Sequence, residues 1–188
     1  MSTHHNIIIT GFKPFSRFDI NSSWESAKAA KRKRNDIHIQ ELTVDHLSAH
    51  HEVMELLSKN HCDILILSGL ADYDMIKLET RASKPQELSL IEGPPELNGH
   101  WHWKENLTVL NRLGIPASAS DNAGAYVCET SYWSALNFRR LNGYPNYVAF
   151  FHVPVLSPVW NEEFISDALI LSAELHNALL NQSKIIRG

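Results

Sequence analysis

Tyr147-Val-Ala-Phe-Phe-His-Val-Pro154 decides how this chain is built. The run is almost continuously apolar, with none of the polar alternation of a strand that faces water on one side. It reads as a strand buried on both faces. Pro154 cannot donate to a ladder and stops the strand. The same pattern recurs upstream. Asn6 to Thr10 carries three consecutive isoleucines, and Asp63 to Ser68 is a second apolar run. Ile37 to Val44 and Ala117 to Ser120 read as further strands, and Leu78 to Ala82 as a short one in an irregular stretch. Helical patterns lie between them. Ser22 or Ser23 caps a helix through Trp24, Ala27 and Ala30. Ser48 to Asn60 places Val53, Leu56 and Leu57 on one face. Lys104 to Leu113 stops at Gly114 and Pro116. Gly124 to Phe138 and Glu162 to Leu180 follow. Apolar strands separated by helices predict a largely parallel sheet covered on both faces. Ligands in such folds collect outside the C-terminal ends of the strands.

The chain has 188 residues, 44% hydrophobic and 20% charged, with no internal repeat and no Pro/Gly/Ser-rich linker. One domain spanning 1–188 is the simplest organisation. The composition excludes disorder, and two cysteines cannot supply a disulfide scaffold. Apolar runs such as Ile64 to Leu67 are one strand long, far short of the ~20 residues of a membrane span. Met1-Ser-Thr-His-His5 lacks the pattern of a secretory leader, so the expected compartment is the cytoplasm. A net charge of −4 argues against nucleic acid as a partner. The basic run Lys31 to Arg34 closes a helix, where cations complement the dipole.

The chemistry-bearing residues fall on the expected ligand side. Cys128 follows Asp121 or Asn122, either of which can cap a helix from Ala123 or Gly124. A thiol in the first or second turn feels the positive end of the helix, which favours the nucleophilic thiolate. A lone helical cysteine is equally an ordinary core residue. Cys62, directly before a buried strand, reads as a structural thiol. His152 ends the strand already quoted, where a general base would sit and where a hydrogen-bonded core histidine would also fit. Glu79 can orient an imidazole, although a lone glutamate is more often solvated. Together the three follow the logic of nucleophile, base and orienter.

Three motifs in order tie these residues to a known family. Thr10-Gly-Phe-Lys-Pro-Phe15 with Asn21-Ser-Ser-Trp24, Gly114 through Cys128, and Phe151-His-Val-Pro154 resemble segments of the pyroglutamyl peptidase I family of cysteine peptidases. The resemblance implies a three-layer α/β/α sandwich with a mixed, mostly parallel sheet. It implies Cys128 as nucleophile, His152 as base and Glu79 as acidic partner. Phe12 and Phe15 fall where the family sandwiches the flat pyroglutamyl ring, Asn21 matches its first-loop asparagine, and the backbone of Ala71 and Asp72 would face the lactam. The expected reaction is hydrolysis of the amide bond after an N-terminal pyroglutamyl residue through an acyl-enzyme. The Cys128 N–H would help hold the oxyanion. The substrate would be a small peptide or acyl amide. No metal, cofactor, nucleic acid or membrane is implied, and homo-oligomers occur in the family.

The sequence departs from the family pattern around the substrate. Leu70-Ala71-Asp72-Tyr73 replaces a Gln-Ala and glycine-rich turn, and Ser16-Arg17 replaces Gly-Gly. Lys84 replaces an asparagine. Ser89 falls near the position of an arginine thought to assist the oxyanion, and no arginine occurs between Arg81 and Arg112. The stretch from Glu79 to Cys128 is also shorter than in typical members. An alternative expectation is therefore a relative with altered acyl specificity, with Arg17, Lys84 or Arg81 suited to an acidic group. A non-catalytic binding protein is the expectation from another class. His46 and His50, at i and i+4, can present two imidazoles but lack a third ligand at useful spacing. His100-Trp-His-Trp103 can line an entrance, form a subunit contact or pack locally.

Overall fold

The structure is a computed structural model that describes residues 5–124 and 126–187. Residues 1–4, which carry the leader expectation, and Ala125 lie outside it. Among the described residues eight strands and five α-helices follow one another along the chain: β1 (Ile7–Phe12), α1 (Ser22–Lys33), β2 (His38–Leu42), α2 (His46–Lys59), β3 (Ile64–Leu70), β4 (Ile76–Glu79), β5 (Arg81–Ser83), β6 (Glu96–Asn98), α3 (Trp103–Arg112), β7 (Ala117–Ser120), α4 (Val127–Asn142), β8 (Tyr147–Val153) and α5 (Glu162–Arg187). Six strands form one sheet in the order β2-β1-β3-β8-β4-β7, while β5 and β6 form a separate antiparallel pair. The four strands from β2 to β8 are parallel. β4 runs antiparallel to β8 and carries β7 parallel to itself. The fold is a three-layer α/β sandwich with a mixed, mostly parallel sheet.

Burial follows the pattern of the sequence. All seven residues of β3 and all six of β1 are buried. The period of two along β8 sends Ala149 and Phe151 into the core under α1, α3 and α5, and Val148 and Phe150 into the core under α2 and α4. The basic run ties two helices together. Arg32 reaches Glu163 at 2.8 Å and Lys33 reaches Asp167 at 2.7 Å, both on α5.

The helix starts differ from expectation. Asn21 rather than a serine caps α1, accepting the Ser23 N–H at 3.1 Å. α4 begins at Val127 instead of near Gly124, because Gly124 has φ +80° and cannot sit in a right-handed helix. The Asn122 side chain instead accepts the Gly124 N–H at 2.9 Å in a local turn.

Candidate active site

The C-terminal ends of β1, β3 and β8 open into a cleft of about 540 Å³. Its lining includes Phe12 at the end of β1, Leu70 and Ala71 after β3, and His152 near the end of β8. The late start of α4 sharpens the placement of Cys128. It is the second residue of the helix, so its N–H has no partner within the helix and faces outward with the dipole's positive end.

Glu79 arrives from an unexpected direction. Because β4 is antiparallel to β8, Lys77 pairs with His152 and Leu78 with Phe151, which sets Glu79 one step deeper in the sheet. Glu79, Phe150 and His152 therefore share the α4 face. The His152 Nδ1–H donates to Glu79 Oε1 at 2.8 Å, and both side chains are buried. The Glu79 carbonyl is braced by Tyr132 Oη at 3.0 Å and by Trp101 Nε1 at 3.1 Å. On its other side the imidazole faces the cleft that Cys128 also lines, and the sulfur acts on it electrostatically. Burial pulls the His152 pKa down. The Cys128 sulfur, then Glu79, outweigh it and push the pKa up to about 10.

Gly69 makes room for this arrangement. A Cβ there would lie 2.5 Å from Cys128 Sγ and 3.3 Å from the Phe150 ring. The glycine is thus a seat for the sulfur. Cys62, by contrast, is fully buried and its thiol pKa is pushed well up by burial.

The remaining sequence candidates divide. Phe12, Phe15, Asn21, Ala71 and Asp72 all line the cleft. Both ends of the Asn21 amide are engaged: Oδ1 accepts from Ser23, and Nδ2 donates to the Lys13 carbonyl at 3.0 Å. It holds the loop that carries Phe15. The Ala71 N–H is bonded to the Val153 carbonyl at 3.0 Å, so a ligand there meets other parts of this backbone. Arg17 lines the cleft and pairs with Asp72 across its mouth at 3.3 Å. Arg81 and Lys84 do not join it. Arg81 bonds Glu96, and Lys84 lies over the Trp133 ring, both away from the cleft lining.

Several cleft residues escaped the sequence reasoning. Phe18 packs on Phe15 with ring centroids 5.6 Å apart, in a tight turn where Ser16 adopts φ +54°. Serine is not a residue that announces a left-handed position, so no local signal marked this turn. Tyr126 and Val127, beside Cys128, line the opposite wall. Tyr73, which the sequence marks as a departure around the substrate, does line the cleft and stands edge-on to His152 at 6.3 Å, beneath the Lys77 ammonium.

The histidine and tryptophan motifs lie elsewhere. His46 and His50 hydrogen-bond Thr130 and Ser134 at 2.6 and 2.8 Å, joining α2 to α4. Trp101 packs on Phe151, on the far face of the sheet from the cleft. Among the described residues no group of three or more His, Cys, Asp or Glu side chains is gathered for a metal, and no helix is long and apolar enough to cross a membrane.

Comparison with known proteins converges on one family. A family model for pyroglutamyl peptidase matches residues 5–176. The pyrrolidone-carboxylate peptidase of Thermococcus kodakarensis is 28% identical over 165 residues, spanning 79% of this chain and 80% of its own. Human pyroglutamyl-peptidase 1 is 24% identical over 200 residues, spanning 95% and 92%. The solved pyrrolidone carboxyl peptidase from Thermococcus litoralis shares the fold with a TM-score of 0.83 at 22% identity, covering 96% of both chains. Pyroglutamyl peptidase I from Bacillus amyloliquefaciens gives 0.81 at 22% identity, covering 93% and 96%. With the match spanning nearly the whole length, this chain belongs to the pyroglutamyl peptidase family.

Proposed function

We propose that this chain is a cysteine peptidase that hydrolyses the amide bond after an N-terminal pyroglutamyl residue. The observation that carries the proposal is the row Cys128, His152, Glu79 at the floor of an aromatic cleft. The flat lactam enters between apolar walls that include Phe12 and Phe15. The Cys128 thiolate attacks the carbonyl that joins the ring to the next residue. The tetrahedral oxyanion forms next to the Cys128 N–H at the start of α4. The imidazolium of His152 gives its proton to the leaving amine, and the carbon–nitrogen bond breaks. Neutral His152 then takes a proton from water as it attacks the thioester, which frees pyroglutamate and the thiolate. Glu79 holds the imidazole in one tautomer and stabilises its cation. The cytoplasm is the compartment that suits a working thiol.

A second reading keeps the same machinery but changes the acyl group. It is favoured by the charged pair Arg17–Asp72 and by Tyr73 at the mouth, which suit an acidic or differently shaped ring. One substrate panel separates the two. Pyroglutamyl aminocoumarin is compared with prolyl, glutamyl and other cyclic acyl amides, with Cys128→Ala as the blank. Cys128-dependent turnover of the pyroglutamyl compound is expected. Turnover of another acyl amide alone would overturn the first reading in favour of the second.

A further inference from the structure

A second buried carboxyl stands beside the site. Glu129 follows Cys128 in the first turn of α4 and is buried. Its Oε1 accepts the backbone N–H of Ser83, at the end of the strand that follows Glu79. Its Oε2 and the Oε2 of Glu79 are both buried without a hydrogen-bond partner among the described residues. An orphaned carboxylate oxygen in an apolar interior is costly unless a nearby positive charge offsets it.

We propose, resting on the cysteine peptidase reading, that Glu129 is a positioning residue: its carboxylate ties the helix of Cys128 to the strand leaving Glu79 and supplies a second buried negative charge that holds the proton on His152. The tie is the Ser83 bond. The charge follows from mutual attraction. On balance the Glu129 pKa is raised: burial raises it most, the Ser83 bond opposes that, Glu79 raises it and His152 lowers it. An attraction that favours the Glu129 carboxylate favours the His152 imidazolium equally.

The other titratable groups around this turn are already committed. Tyr132, on the same helix, donates its hydroxyl to the Glu79 carbonyl. From α2, His46 bonds the Thr130 hydroxyl and lies 3.8 Å from Glu87. Arg81 of β5 pairs with Glu96 and Asp121. Glu79 from β4 and His152 from β8 are the charges that act on Glu129.

Two substitutions separate the tie from the charge. Glu129→Gln keeps an oxygen for Ser83 but removes the charge. Glu129→Asp keeps the charge but shortens the reach. Each is measured by the pH dependence of iodoacetamide alkylation at Cys128, located by mass spectrometry, and by turnover of the pyroglutamyl amide. The alkylation arm needs no substrate, so it stands even if the proposed substrate is wrong. Removing a negative charge near an imidazolium lowers its pKa. Glu129→Gln should therefore move the alkaline inflection down by about half a pH unit or more, with neutral-pH rates near the parent's. Glu129→Asp should leave the inflection in place and slow turnover about tenfold. An unshifted Glu129→Gln inflection would overturn the charge. A Glu129→Asp enzyme with parental rates would overturn the tie. Unfolding midpoints are read alongside. Should Glu129→Gln fail to fold, Glu129→Ala is read in its place, and an unshifted inflection there would equally overturn the charge.

Discussion

His152 and His176 lie on opposite faces of one sheet, both out of solvent, and treat a proton in opposite ways. Burial pulls both pKa values down. His152 faces the Cys128 sulfur and the Glu79 carboxylate, and its pKa rises to about 10. Among the described residues His176 hydrogen-bonds backbone groups alone. Its Nδ1–H donates to the Ser172 carbonyl at 2.7 Å, and its Nε2 accepts the His102 N–H at 3.1 Å. An Nε2 that accepts cannot hold a proton, and burial brings the pKa to about 4. The lesson is that depth alone does not make a histidine chemically useful. The Cys128 sulfur, with a buried carboxylate aligned to one ring nitrogen, reverses the effect of depth.

The largest break in this comparison is to remove that carboxylate. Glu79→Gln keeps the size of the side chain but gives His152 a neutral partner. Turnover should fall by roughly a thousandfold or more, and Cys128→Ala should do at least as much. The His152 proton should also be lost at lower pH. In the parent, the imidazolium contributes stability fully below pH about 6.5, and this is lost as pH rises through about 10. A Glu79→Gln enzyme whose alkaline limb stays near the parent's would mean that Glu79 does not hold the proton.

The opposite break acts on His176. A histidine kept neutral in the fold takes a proton more readily once unfolded, so stability should fall as pH drops from about 6.5 through about 4. The full effect is about 3 kcal/mol at 1.36 kcal/mol per unit. Chemical unfolding at several acidic pH values measures it. His176→Gln, which cannot titrate, should flatten this part of the profile while leaving turnover at neutral pH unchanged.

How far the sequence foretold this contrast depends on the element. β8 was legible because its run of apolar residues and its terminal proline are local signals, and the period of two then fixes which face His152 joins. Cys128 was legible from the helix behind it, though the start of α4 was misplaced by the left-handed turn at Gly124. The direction of β4 was not legible. Ile76 and Leu78 alternate with Lys77 and Glu79 whichever way the strand runs, and only long-range pairing with β8 chooses. That choice buries Glu79 beside His152. The bracing of Glu79 by Trp101 was equally hidden, since an indole in an irregular stretch carries no sign of its partner. Glu129 was not legible, since an acid near a helix start is ordinary on dipole grounds and gives no sign of Ser83.

A smaller break concerns the sulfur rather than the rings. A methyl at Gly69 would lie 2.5 Å from Cys128 Sγ, well inside van der Waals contact. Gly69→Ala should push the sulfur off its line to His152 and lower turnover about a hundredfold. The His176 face should not notice, so the acid unfolding profile should stay that of the parent. A Gly69→Ala enzyme with normal alkylation and turnover would show that the sulfur has another productive position.

The smallest effect is expected where charge meets charge in water. Arg17 and Asp72 pair at 3.3 Å, but both side chains are more than 70% exposed. Glu79 and His152 pair at 2.8 Å with almost no exposure. Solvent screens the first pair and leaves the second to act at low dielectric. If the cleft takes a pyroglutamyl ring, which carries no charge, Arg17→Ala should change KM by no more than about threefold. An acidic acyl group would behave otherwise. Its carboxylate would displace Asp72 from Arg17, and the same substitution would then raise KM by tenfold or more. Measured on both substrates, Arg17→Ala thus asks whether the exposed pair is only a brace across the mouth or the element that reads the acyl group.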